Sequence, residues 1–106
     1  MATVYIDEYS GLGDMNPNNA PFRRMNGEIA QTPAIANQTV SITAGSVQSN
    51  AFNSLTYLVR VHTDSVMSFA FGANPTASAT TARMAANQTE YFAVIPGQKI
   101  AVITNT

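Results

Sequence analysis

Residues 89–104 constrain this chain most. TEYFAVIPGQKIAVIT sets two apolar runs, rich in β-branched and aromatic residues, on either side of a Pro-Gly pair, the pattern of two strands and a turn. Proline presets φ for the second position of a turn and glycine accepts the positive φ of the third, so Ile95-Pro96-Gly97-Gln98 suits a type II turn. A type II turn does not match the twist of a tight hairpin, so the two strands either pair directly or diverge into different sheets at this corner.

The same period-2 reading extends upstream. Residues 3–9 alternate, with Val4 and Ile6 on one face and Tyr5 and Tyr9 on the other, and residues 38–43 form a short second strand. In the stretch 55–63, Leu55, Tyr57, Val59 and Val61 share a face. Asp64-Ser65 offers a turn, and 66–71 follows with Met67, Phe69 and Phe71 on one side, which makes it the expected antiparallel partner of the strand before it. Residues 77–82, all small, read as a loop or an edge strand. The expectation is one all-β domain over 1–106, an antiparallel β-sandwich or jelly-roll-like fold with at most one helical turn. Its expected core includes Val59, Val61, Phe69, Phe71, Phe92, Val94, Ile100 and Val102.

Residues 11–33 break the pattern. Gly11, Gly13, Gly27, Pro17, Pro21 and Pro33, with four asparagines between them, oppose regular structure, and a loop of about 20 residues inside a compact domain is usually functional or mobile. This long irregular loop or arm carries Leu12, Met15, Phe22, Arg23, Arg24 and Met25. Apolar anchors beside the one basic pair make these six the candidate partner-contact residues. Gly11-Leu12-Gly13 begins like a dinucleotide fingerprint but lacks its third glycine and reads as loop.

Composition removes several function classes. Five Lys+Arg against six Asp+Glu give a net charge of −1, so no positive field draws nucleic acid or an anionic membrane. Charged residues make up 10% of the chain, well under the roughly 25% usual for soluble domains, which leaves a neutral Thr/Ser/Asn/Gln/Ala surface suited to contact with other protein chains. No cysteine is present, which excludes disulfides and thiolate chemistry. No leader or apolar membrane span is apparent, and a cytoplasmic setting is expected.

His62 is the only histidine. Asp64, two residues on, would share its face in a strand, yet no activated nucleophile or oxyanion element accompanies them. Asp7-Glu8 reads as a solvated strand end. No catalytic residues, cofactor or metal site are expected. Ala-Asn-Gln-Thr occurs twice, at 36–39 and 86–89, each copy read as the entry to a strand. The aromatic residues Phe69, Phe71, Tyr91 and Phe92 read as core.

A further pattern lies in Tyr57-Leu58-Val59-Arg60-Val61-His62-Thr63-Asp64, Phe71-Gly72-Ala73-Asn74-Pro75-Thr76-Ala77, Arg83-Met84-Ala85-Ala86 and residues 90–103. In these segments, roughly the C-terminal half, the chain resembles small phage virion proteins that act as capsid decoration or cement proteins. The resemblance implies a non-enzymatic virion structural protein on the outer surface of a phage capsid, assembled in the host cytoplasm. Its implied partner is the major capsid protein, and it would be a homo-oligomer, dimer or trimer. Many identical weak contacts on a shell would add through avidity. The competing expectation is a carbohydrate-binding β-sandwich module displayed on a virion or cell surface, which would use exposed aromatics to stack on sugars.

Overall fold

The computed structural model describes residues 2–11 and 33–105, and these form eight strands: β1 (Thr3–Tyr9), β2 (Ala36–Ser41), β3 (Val47–Gln48), β4 (Leu58–Thr63), β5 (Met67–Gly72), β6 (Ala82–Met84), β7 (Thr89–Ala93) and β8 (Lys99–Thr104). Two four-stranded antiparallel sheets, ordered β2-β1-β4-β7 and β3-β8-β5-β6, make an all-β sandwich. The described residues contain no helix.

Period-2 alternation decides the interior. Val4, Ile6, Val40, Val59 and Val61 line the first sheet's inner face, and Met67, Phe69, Met84, Ile100 and Val102 line the second's. Of the eight expected core residues, Val59, Val61, Phe69, Ile100 and Val102 are buried, while Phe71, Phe92 and Val94 are partly buried and pack against them. Phe71 and Phe92 meet at 5.1 Å between ring centres with their planes tilted by 53°, and each also lies near Phe69, at 5.9 and 5.4 Å, distances at which aromatic pairs attract beyond their buried area. Phe52, outside any strand, completes this group at 6.3 Å from Phe71. It is fixed by backbone bonds to the far turn, Phe52 N–H to Gln98 O at 2.8 Å and Gly97 N–H to Phe52 O at 3.1 Å.

The Pro-Gly corner takes the divergent alternative. Gly97 has φ 84° and Gln98 N–H donates to Ile95 O at 3.2 Å, as a type II turn requires. The strands on either side, β7 and β8, lie in opposite sheets.

Two expectations about strand pairing and strand limits are overturned. The strands around Asp64-Ser65 do not pair: β4 lies between β1 and β7, and β5 between β8 and β6. Asp64 is tied to β1, its N–H donating to Thr3 O at 3.1 Å and its Oδ1 accepting from Thr3 N–H at 2.8 Å. That anchor turns the chain across to the second sheet instead of back along β4. The strand expected from Leu55 starts only at Leu58, because Asn53 Oδ1 accepts from Leu55 N–H at 2.9 Å and Asn53 O from Thr56 N–H at 3.0 Å, a side-chain turn that outcompetes extended backbone. Leu55 and Tyr57 are consequently exposed.

The outer face of the second sheet is covered by the chain between β5 and β6. Ser68 and Ala101 point away from the core yet are fully buried, and Pro75 and Ala77 in the covering segment are buried too. Gln48 Nε2 donates to Pro75 O at 2.9 Å, Ala77 N–H to Ser46 Oγ at 2.9 Å, and Asn105 Nδ2 to both Ser68 Oγ at 2.5 Å and Ala79 O at 3.4 Å. Small side chains let this strap lie flat across the sheet.

Candidate functional surface

The first sheet carries no such strap among the described residues. Its outer face takes the alternate positions of each strand, and the pairing sets them in rows: Thr39, Tyr5, His62 and Thr89 across one, Asn37, Asp7, Arg60 and Tyr91 across the next. Tyr5 is 44% and Tyr91 53% exposed, so Tyr91 belongs to the surface and not to the core expected of it. Asp7 joins three strands, accepting from Arg60 Nη1 at 3.2 Å and from Asn37 Nδ2 at 2.6 Å. His62 Nδ1 bonds Thr89 Oγ1 at 2.7 Å, and its ring lies 6.3 Å from that of Tyr5. On the same face Tyr9 is buried; burial, then the charge of Asp7 and the neighbouring Tyr91, raise its phenol above the ordinary value of 10.0, opposed by Arg60.

At the end of the sandwich where β1 meets β2, the expected solvated acid is instead interior. Glu8 is 2% exposed, because in β1 it continues the inward-facing series Val4, Ile6. Its Oε1 accepts from Asn53 N–H and Thr56 Oγ1, both at 2.8 Å, and its Oε2 from Gln38 Nε2 at 2.9 Å. Gln38 in turn holds Asn50, accepting from its N–H at 3.0 Å and donating to its O at 3.3 Å. These bonds fasten the 49–57 loop to the first sheet, and a shallow cleft of about 240 Å³ opens beside them, lined by Glu8, Asn37, Gln38, Asn50, Asn53 and two alanines. The lining is one carboxylate among neutral amides, and the carboxylate's oxygens already accept three hydrogen bonds. It is a structural joint, and its amides are already largely spent on Asp7, Asn50 and Leu55.

His62 and Asp64 are not brought together: Asp64 lies past the end of β4 and bonds Thr3, while His62 bonds Thr89. Among the described residues no three His, Asp or Glu side chains gather as a metal site. The repeated Ala-Asn-Gln-Thr takes two conformations, correcting its reading as a common strand entry. Residues 36–39 lie within β2, whereas Asn87, at φ 61°, sits in the turn before β7, a left-handed position that asparagine tolerates. The candidate contact residues Leu12, Met15, Phe22, Arg23, Arg24 and Met25 lie outside the described residues.

Sequence reasoning missed the Glu8 joint and Phe52. The alternation in β1 itself pointed Glu8 inward, which was the available signal. Phe52 lies in Ser49-Asn50-Ala51-Phe52-Asn53, which has no period to read. No protein-family model, no curated protein and no solved structure matches this chain.

Proposed function

We propose that the chain is a non-enzymatic virion structural protein that binds the outer surface of a phage capsid, against the major capsid protein, and stabilises it. The observation that carries this reading is the difference between the sandwich's two outer faces. One is covered by the protein's own strap, and the other presents Tyr5, Tyr91, Arg60 and His62 within a frame of Thr and Asn. Tyr and Arg are the residue types that anchor protein–protein contacts, and a nearly uncharged surround is inexpensive to desolvate. The resemblance of the C-terminal half to capsid cement proteins supports the same reading.

In the chain, residues 12–32 lie between β1 and β2, which pair with each other in this sheet. Ile35 N–H donates to Glu8 O at 2.6 Å, so the flanking strands are closed against each other whatever lies between. Replacing residues 11–33 by a short linker is expected to preserve the β-sandwich, read by circular dichroism and thermal melting, and to lower the number of copies retained on purified capsids. Equal occupancy would assign the contact to the sheet face alone. Failure of the intact chain to bind capsids would overturn the reading.

The exposed tyrosines also favour a second reading, a carbohydrate-binding module on a virion or cell surface, since a phenol ring offers a face on which a sugar can stack. Glycan-array binding lost on Tyr5→Ala, with no capsid binding, would select it.

A further inference from the structure

The edge of the first sheet at β7 is an unfinished hydrogen-bonding surface. Val94 N–H donates to Tyr57 O at 3.0 Å and Thr63 N–H to Gln88 O at 3.2 Å. With the constant register Val59 to Phe92 and Val61 to Glu90 between them, alternate residues of β7 turn their backbone groups toward β4. The N–H and C=O groups of Thr89, Tyr91 and Ala93 therefore point the other way. Among the described residues no strand pairs with that side.

Natural edges are usually guarded by charge, proline, bulges or brevity. The other edges have such guards or lack apolar area. β3 has two residues and β6 three, with Arg83 at its centre. β2 presents Asn37, Thr39 and Ser41. β7 is five residues long with no proline or basic residue, an exposed Tyr91 and Ala93, and a partly exposed Phe92. Its only charge, Glu90, faces inward and is hydrogen-bonded by Gln88 Nε2 at 2.5 Å.

We propose that β7 is the seam of a two-fold homodimer, pairing antiparallel with β7 of a second copy about Tyr91. The occupant is a second copy because this edge is self-complementary. With Tyr91 opposite Tyr91, Thr89 falls opposite Ala93 and Glu90 opposite Phe92. The register thus uses all the free backbone groups of the three edge residues, and no glutamate meets its own copy. A two-fold axis requires this kind of match between a patch and itself. The two sheets join into one of eight strands, in which Tyr91 lies against its symmetry mate on the outer face. The pairing does not depend on the capsid reading, since it uses only the edge. A seam this narrow makes a concentration-dependent dimer rather than an obligate one.

Sedimentation of the full chain up to about 100 μM tests it, with hydrogen exchange measured on the same samples. The expected result is a shift toward twice the 11.3 kDa monomer mass, with slowed exchange at the Thr89, Tyr91 and Ala93 amides as concentration rises. Ala93→Pro removes one edge N–H per copy without touching the bonds to β4, and is expected to raise the dissociation constant about tenfold or more. Tyr91→Lys, at an exposed site, sets like charges opposite each other and is expected to do the same; it decides the matter should the proline variant fail to fold. A monomer at every concentration would overturn the proposal, as would a dimer insensitive to Tyr91→Lys whose edge amides exchange freely.

Discussion

Glu8 shows how one polar residue can organise the end of a sandwich. A carboxylate taken out of water is stabilised only if its oxygens find donors, and here they come from residues 30, 45 and 48 positions away in the chain. Glu8→Ala leaves the Asn53 N–H, the Thr56 hydroxyl and the Gln38 amide without their acceptor, and is expected to cost about 3 kcal/mol in urea unfolding. Glu8→Gln keeps the shape but turns an amide donor toward donors, and should lie between that variant and the native chain. A loss below about 0.5 kcal/mol for Glu8→Ala would show that the joint is dispensable. Tyr9 gives the same sheet an alkaline dependence. A phenol whose folded pKa is raised stabilises the fold in full below its unfolded pKa of 10.0, and that contribution is lost as pH rises through the higher folded value. Melting between pH 9 and 11 should therefore fall more steeply for the native chain than for Tyr9→Phe, and identical slopes would remove Tyr9 as the cause.

At the scale of elements, the corners matter more than the strands. Gly97 holds a positive φ with no atom within 4 Å of where a Cβ would stand, so Gly97→Ala tests backbone strain without a clash. About 1 kcal/mol of destabilisation is expected, measured by thermal melting; no change would mean that the turn relaxes. The strands themselves were legible because alternation is a local property: Val4 and Ile6, Val59 and Val61, and Ile100 and Val102 all face inward as their spacing requires. Which strand pairs with which was not legible. An Asp-Ser turn reads alike whether it closes a hairpin or crosses between sheets, and the bond from Asp64 to Thr3 that decides it joins residues 61 positions apart. The surface site was partly legible. Tyr5 and Arg60 fell on the outward parity of their strands, but Tyr91 passed for core because Tyr91-Phe92 supplies an aromatic residue to each face.

At the scale of the whole molecule, almost nothing in this sandwich is a hairpin. The short connections, β2 to β3, β4 to β5, β6 to β7 and β7 to β8, all cross between sheets, and consecutive strands pair only as β1 with β2 and β5 with β6, each across a longer segment. Val4 meets Thr63 and Val47 meets Val102. The consequence is kinetic. Loop-closure entropy must be met for these distant pairings before local contacts can return it, which places the chain among the slow, high-contact-order folders of the millisecond-to-second class. During that search the apolar strands stand unpaired, so productive folding of this topology depends on how quickly its first and fourth strands find each other.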